Sequence, residues 1–295
     1  MSTDRPRVAL VTCRALPALY PDDHHLVAAL RAHGIVPESV VWDDASVDWR
    51  AFDRVVIRSC WDYHLETERF RAWLARCEAD GVPLWNPPVT VGGNLHKGYL
   101  ERLAHLGASV VPTRLLRSRA ITRLDDVLAT EGWPRAVVKP AVSASAFRTF
   151  IVESGTAAHQ RELDDLLTRG DVLVQPFVPE VVDKGEWSLV FFAGDFSHAV
   201  LKRARSGDFR VQAEYGGSTV AADPPDGLLS DAGHLLSLLS DPWLYARVDG
   251  VDVGGRLLLM ELELIEPVLF FAERPDAAAR FAQAILRPSV ARQAS

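Results

Sequence analysis

Over its first ninety residues the chain alternates short apolar runs with amphipathic stretches, and this restricts the fold more than any other feature. "RVALVTC" (7–13) is continuous, partly β-branched and too short for a helix, so it reads as a buried strand. "DDHHLVAALRAHG" (22–34) places apolar residues at helical spacing and stops at Gly34. The pattern repeats with strands at "VPESVVW" (36–42) and "FDRVVIRSCWDY" (52–63), a helix at "ETERFRAWLARCEADG" (66–81) and a strand at "VPLWNPP" (82–88). Strands separated by helices are joined most simply as a parallel sheet with helices packed on it. The Pro- and Gly-rich "NPPVTVGGN" (86–94) closes this unit near residue 90.

The rest of the chain is mixed. Helices are expected in "HKGYLERLAHLG", "RLDDVLATEG" and "HQRELDDLLTRG", with strands in "VVPTRLL", "AVVKPAV", "RTFIVE" and "DVLVQPFV". Beyond about residue 180 the pattern becomes antiparallel. "EWSLVFFAG" turns into "FSHAVLKR", and "FRVQAEYGG" and a helix in "GLLSDAGHLLSLLS" follow. "YARVDGVDVGGRLLLMELELIEP" then folds back as a hairpin at Gly254-Gly255. The tail "RPSVARQAS" is expected to fray. The division is 1–90, a substrate-side α/β domain, then 91–180, and then 181–295, which carries the acidic strand.

With a net charge of −7, the chain lacks the basic footprint of nucleic-acid binding. No apolar run is long enough to span a membrane, and the N-terminus reads as a first strand rather than a signal peptide. Cys13, Cys60 and Cys77 have no metal-ligand spacing and sit in apolar segments. They are expected to be reduced fillers in a cytoplasmic protein, with a catalytic cysteine as the lesser alternative.

Charge appears where it is costly. Glu261 and Glu263 are two apart in the most apolar segment, "LLLMELELIEPVLFF" (257–271), so in a strand they share a face. Two adjacent carboxylates are stable there around a shared divalent cation, or on a solvated sheet face. A three-residue hairpin loop places Asp249 opposite Glu261, whereas a two-residue loop places it opposite Met260. Glu266, an odd number of residues on, points away from both unless Pro267 bends the strand. Mg²⁺ held by a few carboxylates completes its shell with phosphate oxygens. Lysines suited to phosphate are Lys139, inside the Val-rich "AVVKPAV", and Lys97, which opens a helix where its charge gains nothing. A snorkelling role is the alternative for each. No Walker A or GxGxxG pattern is present.

Taken in order, the helix-opening Lys97, "VVKP", "VLVQPFV", "GEWS", a late basic segment, and Asp followed by Glu-x-Glu resemble the ATP-grasp superfamily from about residue 85 to 270. Within it, "ALVTC", "VIRSCWDY", "NLHKGYL", "FFAGDFSHAVLKR", "GDFRVQAEYGG" and "LMELELIEP" are similar to the cyclo-ligases that close O-ureido-serine in D-cycloserine biosynthesis. The resemblance implies an ATP-grasp fold, α/β overall and α+β in the ATP-binding half, with a parallel-sheet domain before it. It also implies an ADP-forming carboxylate–amine ligase working through an acylphosphate.

By the same resemblance, Lys97 and Lys139 meet the phosphates, Gln175, Pro176, Phe177 and Val178 form the adenine hinge, and Glu186 binds the ribose. Asp249, Glu261 and Glu263 hold two Mg²⁺ ions. Arg210, assisted by Lys202, lies near the transferring phosphate, and Gly216 and Gly217 let backbone amides approach the substrate. An amino-acid-like small molecule is expected against "RSCWDY", with Arg58 on a carboxylate and Asp62 or Tyr63 on an amine. The alternative for Arg58 and Trp61 is packing of the domain interface. Such ligases are often homodimers. Glu263 departs from the usual Glu-x-Asn ending, and "SASAF" lacks the glycines of the usual phosphate-covering loop. Intermolecular ligation and a non-catalytic nucleotide-binding module are the rival readings.

Overall fold

The computed structural model of the protein describes residues 6–144, 146–153, 155–205, 210–211 and 215–287. β1 (Arg7–Thr12), α1 (Asp23–Ala32), β2 (Val36–Val41), β3 (Arg54–Ser59), α2 (Thr67–Ala79) and β4 (Leu84–Trp85) make a parallel sheet of order β2-β1-β3-β4. This is the arrangement that the strand–helix alternation dictates. α3 (Pro88–Asn94) and α4 (Tyr99–His105) lead out of it. α3 was not expected. Its prolines precede or open the helix, where a missing N–H costs nothing, so residue 90 falls inside a helix rather than in a linker.

β5 (Arg114–Leu116), α5 (Leu124–Glu131), β6 (Ala136–Pro140), β7 (Phe150–Val152), α6 (Ala157–Arg169) and β8 (Val172–Pro176) follow. The four strands pair antiparallel in the order β5-β8-β6-β7. α5 and α6 supply Leu124, Leu128, Leu163 and Leu166 to cover one face.

After the short α7 (Glu180–Asp183) come β9 (Glu186–Phe192), β10 (Asp195–Arg203), β11 (Ser218–Ala221), α8 (Asp226–Ser237), β12 (Tyr245–Val253) and β13 (Arg256–Glu263). The five strands form an antiparallel sheet of order β11-β10-β9-β12-β13. β11 begins where the expected strand "FRVQAEYGG" ends; residues 209 and 212–214 of that segment, Ser145 of the "SASAF" loop and the tail from 288 lie outside the described residues. α9 (Pro275–Leu286) was also unanticipated. Its Phe281, Ala282 and Ile285 pack with Leu26 and Leu30 of α1, Val8 and Leu10 of β1, and Phe192 and Tyr245 of the last sheet. One core therefore joins the two ends of the chain.

The register of the last hairpin follows neither alternative that loop length alone offers. Gly254 and Gly255, both with positive φ, make a two-residue loop, so Val253 faces Arg256. That loop alone would put Asp249 opposite Met260. A one-residue bulge between Gly250 and Asp249 restores Asp249 opposite Glu261. Gly250 is needed at this point, since a Cβ there would lie 2.5 Å from the Leu258 carbonyl oxygen.

All three cysteines are buried and free. Burial pushes the Cys77 thiol up to about 12 and Cys60 well above the usual thiol range, which removes the thiolate a nucleophile needs. No described helix is long and apolar enough to cross a membrane.

Candidate active site

A cavity of 270 Å³ opens where the three sheets meet. β12 and β13 supply Asp249, Glu261 and Glu263, and β6 supplies Lys139. β9 and β10 supply Glu186 and Lys202, and Lys97 enters from the turn before α4. Within an unbroken run of strand the two-residue period puts alternate residues on one face, so Glu261 and Glu263 share theirs.

The three carboxylates are held by cations of the chain. Glu261 pairs with Lys97 at 3.2 Å. Burial acts to raise its carboxyl, but Lys97 and Lys139 outweigh this and hold it below the ordinary range. Asp249 accepts from Ser188 Oγ (2.6 Å), from Arg247 (2.8 Å) and from Lys202 (3.4 Å). Burial is again overcome, here by Arg247 and Lys202, and the carboxyl falls to about 2. Arg247 also reaches Glu263 at 2.5 Å, yet burial wins there and lifts Glu263 to about 7, with Asp249 and Glu261 adding repulsion.

Among the cations, Lys97 Nζ also donates to the Ser143 carbonyl at 2.7 Å, tying it to the segment after β6. Burial lowers Lys139, with Glu261 partly offsetting and Lys97 adding to the shift. Lys202 is hydrogen-bonded to Glu186. Arg210 lines the cavity and lies over the Tyr215 ring at 3.7 Å.

Gln175, Pro176, Phe177 and Val178 run along the cavity wall. Gln175 donates to Thr113 Oγ1 at 2.8 Å, and the Phe177 amide donates to the Arg135 carbonyl at 2.9 Å. The Phe177 N–H is thus committed within the protein and Arg135 lies over one face of its ring at 4.0 Å, which leaves the flanking residues for a ligand.

On the first-domain side the sequence reading needs correction. Arg58 does not line the cavity. It is 1% exposed, pairs with Asp23 at 2.8 Å and donates to the Pro267 carbonyl at 2.7 Å, so it packs the interface. Asp62 accepts from Trp42 Nε1 at 2.9 Å and is likewise not among the lining residues. Tyr63 does line it, with Tyr20 and Trp61. Gly216 and Gly217 are not among the lining residues either; Thr219 of β11 is.

Two residues were missed. Arg247 stands two before Asp249 on the same strand face, so an Arg-x-Asp pair in a strand was the available signal. Glu266 lies beyond the end of β13, where period-two reasoning fails; it is 8% exposed and lines the cavity. Burial pushes its carboxyl well above the usual range, Glu263 adds to the shift and Lys97 partly offsets it.

The donor chemistry suits Mg²⁺ brought by a nucleotide better than a resident ion. Among the described residues no three His, Cys, Asp or Glu side chains gather as a metal-holding cluster, and Arg247 stands between Asp249 and Glu263 instead. Two same-face carboxylates, with phosphate oxygens supplying the rest of the shell, match how Mg²⁺ is usually held.

Such a fold and site define an ATP-grasp ligase. The family described as "D-cycloserine synthetase DcsG, N-terminal domain" matches residues 8–86. The cycloserine biosynthesis protein DcsG of Streptomyces lavendulae is 35% identical over 301 residues, covering 94% of this chain and 97% of that protein. The chain belongs to the DcsG family of ATP-grasp ligases. The crystal structure of D-cycloserine synthetase DcsG superposes with a TM-score of 0.83 at 31% identity, covering 95% of this chain and 98% of that one. The D-alanine--D-alanine ligase of Bacillus anthracis shares the fold alone, with a TM-score of 0.67 at 16% identity over 95% and 96% of the two chains.

Proposed function

We propose that the protein is an ATP- and Mg²⁺-dependent ligase that activates the carboxylate of an amino-acid derivative and closes it into a ring, O-ureido-D-serine being the substrate and D-cycloserine the product. One observation carries the reading. Lys97, Lys139, Lys202, Arg210 and Arg247 line the same cavity as Asp249, Glu261 and Glu263. Lys97, Lys202, Arg247 and Asp249 are buried and the others are partly so; charges of both signs are costly to assemble in such a place, and phosphoryl transfer is chemistry that uses them.

In this reading Gln175, Pro176, Phe177 and Val178 flank the adenine, and Glu186 meets the ribose once Lys202 turns toward phosphate. Lys97 and Lys139 hold the phosphate chain. Glu261 and Glu263 would hold Mg²⁺, and Asp249 joins them where Lys202 or Arg247 releases it. The ion would supply charge neutralisation between the phosphates. Arg210 and Lys202 balance charge on the γ-phosphoryl group as a substrate carboxylate oxygen bonds to its phosphorus and ADP leaves. The oxygen-bound ureido nitrogen then bonds to the acyl carbon, loses its proton and displaces phosphate, and water removes the carbamoyl group from the ring nitrogen as carbon dioxide and ammonia. Both groups belong to one molecule, so the second step gains from high effective molarity. Lys97 is kept in place by Ser143 and Glu261, which orients its ammonium before substrate arrives.

The same reading takes the protein to be a cytoplasmic homodimer whose three cysteines stay reduced; light scattering tests the dimer. Incubation with ATP, Mg²⁺ and O-ureido-D-serine should release ADP and phosphate in equal amounts and give one cyclic product by mass spectrometry. No ADP release with any amino-acid carboxylate would sink the reading, and a product joining two substrates would replace cyclisation by intermolecular ligation. Glu261→Gln should lower kcat/KM by about 100-fold or more with ATP still bound; unchanged turnover removes Glu261 from the metal.

A further inference from the structure

The segment 264–269 has no regular secondary structure, yet its backbone is held almost residue by residue by side chains from elsewhere. Asn94 Oδ1 accepts from the Leu264 amide at 2.9 Å, and Asn86 donates to the Leu264 carbonyl at 2.8 Å. The Ile265, Glu266 and Pro267 carbonyls accept from Tyr245 Oη (2.7 Å), Trp61 Nε1 (3.1 Å) and Arg58 (2.7 Å). Arg247 and His198 hold the next two carbonyls, of Val268 and Leu269, at 3.0 and 2.7 Å. A stretch needing this much support has its side-chain directions set by the whole protein.

One side chain it carries is Glu266. The residue is more than nine-tenths buried, and it lines the cavity beside Tyr20, Trp61 and Tyr63. No described residue hydrogen-bonds or ion-pairs with its carboxyl group; Trp61 engages only its backbone. A buried carboxyl aimed into a cavity without a partner is expensive unless a ligand supplies one. The nearby acids Glu261 and Glu263 have Lys97 and Arg247 as ion-pair partners, whereas no described lysine or arginine is within ion-pair distance of Glu266. Tyr20 and Trp61, with ring centroids 4.8 Å apart, add aromatic walls of the kind that favour an organic ammonium.

We propose that Glu266 receives the ammonium group of the amino-acid substrate, with Trp61 and Tyr63 closing around it. The proposal rests on the ligase reading for the class of substrate. It places the amine on the first-domain side of Glu263, so that the carboxylate to be activated points back toward Lys97 and the phosphates. Trp61, read from the sequence as an interface residue, then serves both purposes: its indole N–H fixes the Glu266 backbone and its ring faces the cavity.

The test measures binding separately from turnover. D-cycloserine, which carries the amine but no free carboxylate to phosphorylate, is titrated calorimetrically into wild type, Glu266→Gln and Glu266→Asp. Glu266→Gln should weaken binding by about 30- to 100-fold, the cost of removing a buried charge partner, and Glu266→Asp should fall between. The KM for ATP and the Mg²⁺ concentration for half-maximal turnover should stay within about twofold. Equal affinity in wild type and Glu266→Gln overturns the proposal, as does wild type that binds no D-cycloserine. A parallel shift in Mg²⁺ dependence also overturns it, by making Glu266 a metal ligand. Should the variants not fold, wild type must reject a substrate analogue with hydrogen in place of the amino group by a similar factor. Glu266-dependent binding without ADP release would refute the ligase reading and leave the amine site standing.

Discussion

A single added methyl group at Gly250 tests how the acidic pair is aligned. In Gly250→Ala the new Cβ would sit 2.5 Å from the Leu258 carbonyl oxygen and 2.8 Å from Leu257 Cδ1. That is about 1 Å inside ordinary contact, and the closer neighbour is backbone, which cannot rotate away. β13 must therefore move at the bulge that sets Asp249 opposite Glu261. Overpacking of this kind costs about 1–3 kcal/mol, which for a chain of this size lowers Tm by roughly 2–5 °C. A displacement near 1 Å at a catalytic group costs on the order of 100-fold, so kcat/KM should fall about 10- to 100-fold. Differential scanning fluorimetry and a coupled ADP assay read the two effects. Gly254→Ala is the control: its φ of +62° makes a side chain strained, but no heavy atom lies within 4 Å of the added Cβ. It should cost about 1 kcal/mol of stability and leave kcat unchanged. Wild-type Tm and turnover in Gly250→Ala, or equal loss of turnover in Gly254→Ala, would refute the argument.

Buried His198 donates from Nε2 to the Leu269 carbonyl, and burial lowers it to about 4. The unfolded chain takes up that proton near pH 6.5 and the folded one only near 4, so this histidine's contribution is present above pH 6.5 and lost as pH falls. It is worth up to about 3 kcal/mol between those limits. Glu263, raised to about 7, acts oppositely, adding stability at low pH that is lost as pH rises through 7. Urea titrations from pH 4.5 to 7.5 on wild type and His198→Gln isolate the histidine: the variant should lose less stability on acidification, and identical slopes would refute the assignment. Arg58→Met leaves Asp23 buried without its partner and frees the Pro267 carbonyl. It should destabilise the protein by about 3–5 kcal/mol. Purified variant that survives should keep its KM for ATP; wild-type stability would show that the interface does not depend on this pair. Lys97→Ala leaves Glu261 without its paired ammonium, so the KM for ATP should rise at least about tenfold; an unchanged KM places the phosphates elsewhere.

Some of this was readable in one dimension. The parallel first sheet follows from strand and helix alternating along the chain, which a local period reveals. Glu261, Glu263 and Lys139 lie on inward faces because their strands alternate sides every residue, and the hairpin at Gly254-Gly255 is written in its two glycines. α3 was hidden because Pro and Gly are read as breakers, although Pro is at home in a first turn. α9 was overlooked at a chain end, where it supplies the core shared with α1 and β12.

Other features depended on contacts between distant segments. The facing of Asp249 and Glu261 stayed open in the sequence, because a three-residue loop gives it and a two-residue loop does not, and the loop has two residues. A bulge, which no periodicity reveals, supplies the missing residue. Arg58 carried the same charge whether it bound substrate or Asp23, and only the approach of α1 and Pro267 decided between them. Glu266 was unassignable because the strand rule ends at residue 263 and its direction depends on Trp61, Tyr245, Arg58 and Arg247. By itself the sequence determined which residues are charged and which of them share a face within an unbroken run of strand, since these follow from covalent order and backbone geometry. The tertiary structure decided which charges meet, because partners from distant segments come within hydrogen-bonding distance only once the sheets have packed.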